Sequence, residues 1–166
     1  KAGGWGWLAD EGSAFWAGQR VFQVVFKNLD NRGRATLLTK LAFQKLKVKT
    51  EENLLLKIYS KNPAEIISSL SILAEKASER GDEVAQKILT EAGKELALAA
   101  NAVIKKLNFQ NKNFPLVLVG SMFKSKIILE ILKKEIKKVA PQAKFVQPKV
   151  EPVIGAVKLA IESIKT

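Results

Sequence analysis

The chain has 166 residues, 47% of them hydrophobic and 27% charged, which is the composition of one foldable globular domain. It contains no cysteine and no histidine, so disulfides, Cys/His metal sites and Ser-His or Cys-His catalysis within these residues are excluded. Lysine and arginine number 28 against 16 acidic residues, and the net charge of +12 makes nucleic acid a partner to weigh.

The lysines follow the polar faces of helical segments and are interleaved with glutamate. The densest cluster, residues 133–138, lies among apolar residues at helical spacing, such as Ile128, Ile136 and Val139. This spacing is typical of a solvated helix face, and no aromatic RNA-binding signature accompanies it. No apolar run approaches the ~18 residues of a membrane span, and no signal peptide is visible. We expect a cytoplasmic protein with no membrane partner.

Residues 3–13 are the most informative stretch, reading Gly-Gly-Trp-Gly-Trp-Leu-Ala-Asp-Glu-Gly-Ser ahead of a strong helical pattern. Glycines at this density allow positive φ and close approach of the backbone to a ligand. The acidic pair suits the positive end of a helix dipole. Two interpretations stay open: a tight turn with Ser13 as the N-cap, or a loop that contacts a ligand. The tryptophans set between glycines favour the second.

Amphipathic helices dominate the first two thirds of the chain. Apolar residues recur every three to four positions, Pro63 stands in a first turn, and Gly81 separates two segments. The longest segment keeps its apolar repeat over roughly seven turns. The pattern predicts five helices, over residues 13–28, 36–46, 51–60, 62–80 and 82–107.

A different pattern begins after residue 113. Residues 115–119 form a continuous apolar run that ends in Gly120 and Ser121, as a buried parallel strand does. Beyond it the sequence predicts a helix, a second short strand and a closing helix, over residues 124–139, 144–147 and 153–164. The β-α-β-α order predicts a parallel sheet with a ligand beside Gly120 and Ser121. Two strands cannot bury both faces of such a sheet, so we expect the missing strands upstream of Lys1.

The sequence also resembles a known family. Residues 3–13 are similar to the Gly-Gly-Trp-Gly…Gly-Asp-Glu-Gly-Ser segment of the N-acetylglucosamine kinase / BadF-BadG-BcrA-BcrD-type ATPase family. Three later blocks follow in the family's order: Gly-Asp-x-x-Ala at 81–85, Val-Gly-Ser-x-aromatic-Lys-Ser within 117–125, and a Gly-Ala helix start at 152–156. The resemblance covers nearly all of this chain and about the C-terminal half of a family member.

This resemblance implies an α/β fold of the ribonuclease-H-like, actin-like ATPase kind, in which two domains clasp Mg-nucleotide. Residues 1–166 would be the helix-rich C-terminal lobe, with an incomplete, mostly parallel sheet. The implied activity is ATP-dependent phosphorylation of N-acetylglucosamine or a related hexose or amino sugar, with ATP and Mg²⁺ as cofactors. The implied partners are the sugar and the missing N-terminal lobe, and a homodimer is left open.

The resemblance places Gly4, Trp5, Gly6 and Asp10 on the sugar side of the cleft. Backbone amides and the Asp10 carboxylate would hold sugar hydroxyls, and Trp5 would shape the pocket. Two departures from the family pattern bear on which sugar is used. The spacing from Gly6 to Asp10 is one residue shorter than usual, and Ala9 stands where the family has glycine.

A nucleotide side is implied in the same way. Gly120 and Ser121, with Lys124 nearby, would border the adenosine. Ile67 and Ser68, near the start of the fourth helix, would face the adenine from the other side. From the residues alone, Gly120 is also consistent with a plain strand-to-helix turn, and Lys124 with a solvated lysine.

No catalytic residue is expected in this chain. The family's two phosphate-binding loops and its base aspartate lie upstream of the matching segment. Phosphoryl transfer depends on positioning, metal and base together, so the chain alone is expected to be inactive. The first residue, Lys1 in place of Met, also fits a fragment.

Two other functions stay open. An activator-type ATPase of the dehydratase/reductase kind resembles the same fold but needs thiolates for an iron–sulfur cluster, and this chain has none. A non-enzymatic binding or regulatory module, including a nucleic-acid binder on charge grounds, is the second. The abundance of lysine and isoleucine without cysteine or histidine is suggestive of a thermophile.

Overall fold

The computed structural model describes residues 1–148 and 150–164, and most of them are helical. In chain order the helices are α1 Ala14–Leu29, α2 Leu37–Leu46, α3 Glu51–Ile58, α4 Pro63–Ser78, α5 Glu83–Lys106, α6 Lys126–Val139 and α7 Pro152–Ile164. The strands are β1 Pro115–Val117 and β2 Lys144–Val146, and a 3₁₀ turn spans Ser121–Lys124. The predicted helices are confirmed to within about two residues at each end.

Side-chain caps fix where most of these helices begin. Five polar residues accept an amide hydrogen bond from the first turn of the following helix: Ser13, Thr36, Thr50, Asp82 and Ser125. The cap at Ser125 corrects one prediction, because α6 begins after it and Lys124 belongs to the 3₁₀ turn. The fourth helix also ends at Ser78 and not at Arg80, because residues 79–81 form a turn that leads into the Asp82 cap.

The main core lies where α1, α4 and α5 pack together, with α2, α3 and the start of α6 around them. The contact between α1 and α4 is unusually close. A Cβ atom placed on Gly18 of α1 would lie 1.8 Å from the carbonyl oxygen of Ile67 in α4. Only glycine therefore permits the two helix backbones to touch at this point.

The two strands pair in parallel with Pro115 opposite Lys144, which confirms the predicted parallel order. The prediction of a buried strand over residues 115–119 is wrong. β1 ends at Val117, whose side chain is 55% exposed, and Val146 of β2 is 41% exposed. Leu116 and Phe145 pack with α6, so only one face of the sheet is covered among the described residues.

The last helix, α7, has solvent-exposed apolar side chains. Ile154, Val157 and Leu159 are all exposed, the last by 69%. No helix in residues 1–148 and 150–164 is long and apolar enough to cross a bilayer.

Candidate active site

The loop of residues 3–13 is closed by one carboxylate. The Trp5 amide donates a hydrogen bond to Oδ1 of Asp10 at 3.1 Å, and the Gly6 amide donates to Oδ2 at 3.0 Å. These two hydrogen bonds hold the pKa of Asp10 below its ordinary value. Asp10 is therefore a charged acceptor at neutral pH, fixed in orientation by the loop that it closes.

This arrangement refines the predicted sugar contacts. The amides of Trp5 and Gly6 already donate to Asp10, so in this conformation they are not free to donate to a sugar. A carboxylate has about four lone-pair positions, and two of those on Asp10 are left for hydroxyl protons. The indole of Trp5 is 72% exposed, with the Lys1 ammonium 4.2 Å from its ring centre. The structure thus brings Trp5, Gly6 and Asp10 together in one loop, and their role toward a sugar stays a prediction.

A groove of about 480 Å³ lies between this loop and α5. The loop contributes Gly4, Trp5 and Asp10 together with Glu11, and α5 contributes Glu95, two leucines and two alanines. Small side chains on α5 leave room beside the loop, and the carboxylates supply acceptors for hydroxyl groups. The groove is therefore mostly apolar in its lining, with carboxylates that can accept hydrogen bonds from a polyol.

The other end of the predicted site is the turn after β1. Gly120 has φ 124° and ψ 162°, a region of backbone space that is essentially restricted to glycine. The 3₁₀ turn that follows carries Ser121 and Lys124, and both residues line an open pocket of about 490 Å³ with Gly120 and Gln147. Gly120, Ser121 and Lys124 are therefore grouped at the carboxyl end of β1, as predicted.

Ser121 and Lys124 also border a second cavity, of about 520 Å³, which we call the α4 cavity. Leu89 of α5 and Ile128 of α6 are buried residues in its lining. The remaining lining residues come from α2, α4 and the segment around the 3₁₀ turn: Lys45, Ser69, Ser71, Ile72, Glu75, Ser121, Met122, Lys124 and Ser125. The cavity combines apolar surface with two lysines, one carboxylate and several hydroxyls.

The predicted residues of α4 do not lie in this cavity. Ile67 packs against the main core, with its carbonyl oxygen directed at Gly18, and the Ser68 hydroxyl donates to the Ala64 carbonyl at 2.8 Å. The part of α4 that lines the cavity is further along the helix, at Ser69, Ser71, Ile72 and Glu75. The helical phase explains the difference, because Ile67 faces α1.

Sequence reasoning missed Glu75, Lys45 and Ile72 as candidate site residues. Ile72 and Glu75 are three residues apart, so they share a face of α4, and Ser68 and Ser69 sit one turn before them. That spacing was the available signal, but charged and apolar residues alternate on many helices. The residues themselves gave no sign that this face borders a cavity.

The groove beside residues 3–13 and the α4 cavity share no lining residue. Among the described residues, no group of three or more His, Cys, Asp or Glu side chains is placed to hold a metal ion. The candidate site therefore has one end that carries the Asp10 carboxylate and a mixed apolar and cationic end beside Lys124.

The first curated relative is the N-acetyl-D-glucosamine kinase of Dictyostelium discoideum, 35% identical over 170 residues, covering 99% of this chain and 53% of the relative. The N-acetylmuramic acid/N-acetylglucosamine kinase of Clostridium acetobutylicum is 32% identical, with 96% of this chain and 53% of the relative covered. The chain thus spans about half the length of the curated relatives it matches.

A solved structure shares the fold. It is a proposed N-acetylglucosamine kinase from Chromobacterium violaceum, which aligns with a TM-score of 0.73 at 24% identity over 95% of this chain and 50% of that one. This likeness confirms the predicted helix-rich, actin-like ATPase fold with its small parallel sheet. The sequence profile of the BadF/BadG/BcrA/BcrD ATPase family matches residues 1–160. The chain belongs to the BadF/BadG/BcrA/BcrD ATPase family.

Proposed function

We propose that this chain is the C-terminal lobe of a two-lobed sugar kinase that transfers the γ-phosphate of ATP to N-acetylglucosamine or a related amino sugar. The observation that carries this proposal is the loop of residues 3–13, in which Asp10 is held as an oriented, charged acceptor beside the groove that the loop forms with α5. Similarity to two kinases of amino sugars over nearly the whole chain supports the same substrate class.

On the sugar side, Asp10 would accept hydrogen bonds from one or two hydroxyls through its remaining lone pairs. Charged hydrogen bonds of this kind fix the orientation of a polyol as well as its affinity. The exposed indole of Trp5 would cover an apolar face of the sugar ring. These contacts position the hydroxyl that receives the phosphate.

On the nucleotide side, the α4 cavity and the Gly120 turn would hold ATP. The apolar surface of Leu89 and Ile128 suits a nucleobase, and the exposed ammonium groups of Lys45 and Lys124 suit phosphate oxygens. ATP therefore fits the residues present. Mg²⁺ bound to the phosphates would neutralise developing charge, and its protein ligands would come from outside this chain.

The catalytic base and the phosphate loops would lie in the other lobe. The full-length kinase, containing this chain and that lobe, should phosphorylate at least one sugar of a hexose and N-acetylhexosamine panel with ATP and Mg²⁺. The 166-residue chain alone should show no turnover. Absence of turnover by the full-length protein on every sugar of the panel would contradict the proposal.

A further inference from the structure

One residue that lines the α4 cavity has a side-chain oxygen without a partner. Oε2 of Glu75 is buried and accepts no hydrogen bond from any residue that the structure describes. Glu75 stands on the face of α4 that lines the cavity, with Ile72 one turn before it. A buried carboxylate oxygen without a donor is costly, so a donor from a ligand is the natural partner for it.

Three hydroxyl groups of the cavity lining are already engaged in hydrogen bonds within the chain. The hydroxyl of Ser69 donates to the Ile66 carbonyl at 2.7 Å, and that of Ser71 donates to the Ser68 carbonyl at 2.7 Å. The Ser125 hydroxyl caps α6. Oε2 of Glu75 is therefore a hydrogen-bond acceptor of the cavity lining that lacks a donor.

The two lysines complete the chemistry of the expected ligand. Lys45 and Lys124 are exposed, and neither ammonium forms an ion pair within residues 1–148 and 150–164. The buried part of the lining, Leu89 and Ile128, is apolar. A matching ligand has an apolar, hydrogen-bond-donating body that enters the cavity and an anionic part that stays at the exposed lysines.

We propose that Glu75 selects the nucleobase, its buried Oε2 accepting a hydrogen bond from the exocyclic amine of adenine. This inference rests on the nucleotide site proposed above. Hypoxanthine carries a carbonyl oxygen in place of that amine, so inosine triphosphate would place two acceptors against each other. Binding discrimination is strong when a buried polar group of the site is left unpaired.

The test is calorimetric binding of ATP and of inosine triphosphate to the full-length kinase without sugar. The unmodified protein should bind ATP at least about tenfold more tightly, the ratio expected for one hydrogen bond to a charged group. In Glu75→Gln, whose amide can donate to the carbonyl of hypoxanthine, the ratio should fall to within about threefold. The matched control is Glu79→Gln, an exposed carboxylate one turn further along, which should keep the original ratio.

The outcomes separate the two proposals. If the unmodified protein binds both nucleotides equally, or if Glu75→Gln binds both and keeps the original ratio, Glu75 does not select the base and the nucleotide site itself stands. If the unmodified protein binds neither nucleotide, the proposed nucleotide site fails and the role of Glu75 fails with it. Equal binding of the two nucleotides by the unmodified protein would overturn the role of Glu75 even if the glutamine variant does not fold.

Discussion

At the scale of single residues, Asp10 determines the shape of the loop of residues 3–13. Its two oxygens accept hydrogen bonds from the amides of Trp5 and Gly6, which lie five and four residues before it, respectively. Because the same hydrogen bonds lower its pKa, the carboxylate is ionised at neutral pH and keeps its loop geometry fixed. The shape of this loop therefore depends on one side chain.

Asp10→Asn should weaken sugar binding. Asparagine has one acceptor oxygen where aspartate has two, so either the Trp5 or the Gly6 amide loses its acceptor and the loop shifts. The KM for sugar of the full-length kinase should rise at least about tenfold, the loss of one charged hydrogen bond. Asp30→Asn, an exposed aspartate in the turn after α1, is the control and should leave KM unchanged. An Asp10→Asn variant with the original KM would remove Asp10 from the sugar site.

Gly18→Ala should destabilise the protein by about 2–3 kcal/mol, since the added Cβ would overlap the Ile67 carbonyl and force α1 from α4. Gly155→Ala is the matched control. It is also a helical glycine, but nothing lies within 4 Å of its added Cβ, so no loss of stability is expected. Urea unfolding measures both. Equal stability of Gly18→Ala and the unmodified protein would mean that the α1–α4 contact is not as close as described.

At the scale of helices and strands, Asp82 joins two helix starts that are far apart in sequence. Its Oδ1 accepts from the Ala85 amide of α5 at 2.9 Å. Its Oδ2 accepts from the Thr36 hydroxyl at 2.8 Å and from the Leu37 amide of α2 at 2.6 Å. The Gly-Asp-x-x-Ala motif is therefore a clip between α2 and α5, and its role is in the fold.

Asp82→Asn should lower the free energy of unfolding by about 1–3 kcal/mol at pH 7. Asparagine offers the three donors only one acceptor oxygen, and its NH₂ group is itself a donor. Burial raises the pKa of Asp82, but the hydrogen bonds from Ala85, Thr36 and Leu37 outweigh it, and the pKa lies below its ordinary value. A carboxylate of this kind stabilises the fold above its unfolded pKa of about 4, and the stabilisation is lost as pH falls through the folded value.

The difference in unfolding free energy between the unmodified protein and Asp82→Asn should therefore shrink below about pH 4. Glu83→Gln, next to it and exposed, should change stability by less than about 0.5 kcal/mol at either pH. Urea unfolding at pH 7 and pH 3 gives both numbers. If the difference in unfolding free energy between the two proteins is the same at pH 7 and pH 3, the ionised Asp82 carboxylate does not stabilise the fold.

The helices were predictable from local features, whereas the strands were only partly so. Apolar spacing and a polar cap are encoded next to each other, as at Ser13 before α1 and Asp82 before α5. The burial of β1 depends on what covers it, and residues 115–119 carry no information on that. Glu75 was missed for a related reason, since only the packing of α4 against the 3₁₀ turn places it in a cavity.

At the scale of the whole molecule, two of the exposed apolar surfaces lie on the sheet and on α7. The bare sheet face shows Val117 and Val146, and α7 shows Ile154, Val157 and Leu159. Contiguous apolar surface of this kind marks an interaction site. In the proposed kinase, the half of the protein that the curated relatives have beyond the matched segment would cover this surface.

The 166-residue chain should therefore bind the fluorescent probe ANS more strongly than the full-length kinase at equal molarity. The apolar surface open in the chain would be covered in the kinase. Fluorescence enhancement at fixed probe concentration measures the difference, with Leu159→Gln in the chain as a variant that should lower the signal. Equal fluorescence enhancement by the chain and the full-length kinase would contradict the claim that the rest of the protein covers this apolar surface.

The positive charge of the molecule is partly used internally. In the densest lysine cluster, the Lys137 ammonium donates to the Pro141 and Ala143 carbonyls at 2.5 and 2.8 Å, and Lys138 pairs with Glu135 at 2.6 Å. Lysines that cap the end of α6 are poorly placed to follow a phosphate backbone. The structure of this cluster favours a solvated helix face over a nucleic-acid interface.

The most direct test of the central claim is the fate of the γ-phosphate. The full-length kinase should be incubated with ATP, Mg²⁺ and N-acetylglucosamine, and the products separated and weighed by mass spectrometry. The proposed function predicts a sugar phosphate formed in equal amount to ADP. ADP accompanied by inorganic phosphate alone, with no phosphorylated sugar from any hexose or N-acetylhexosamine, would contradict it and favour an ATPase of the activator type.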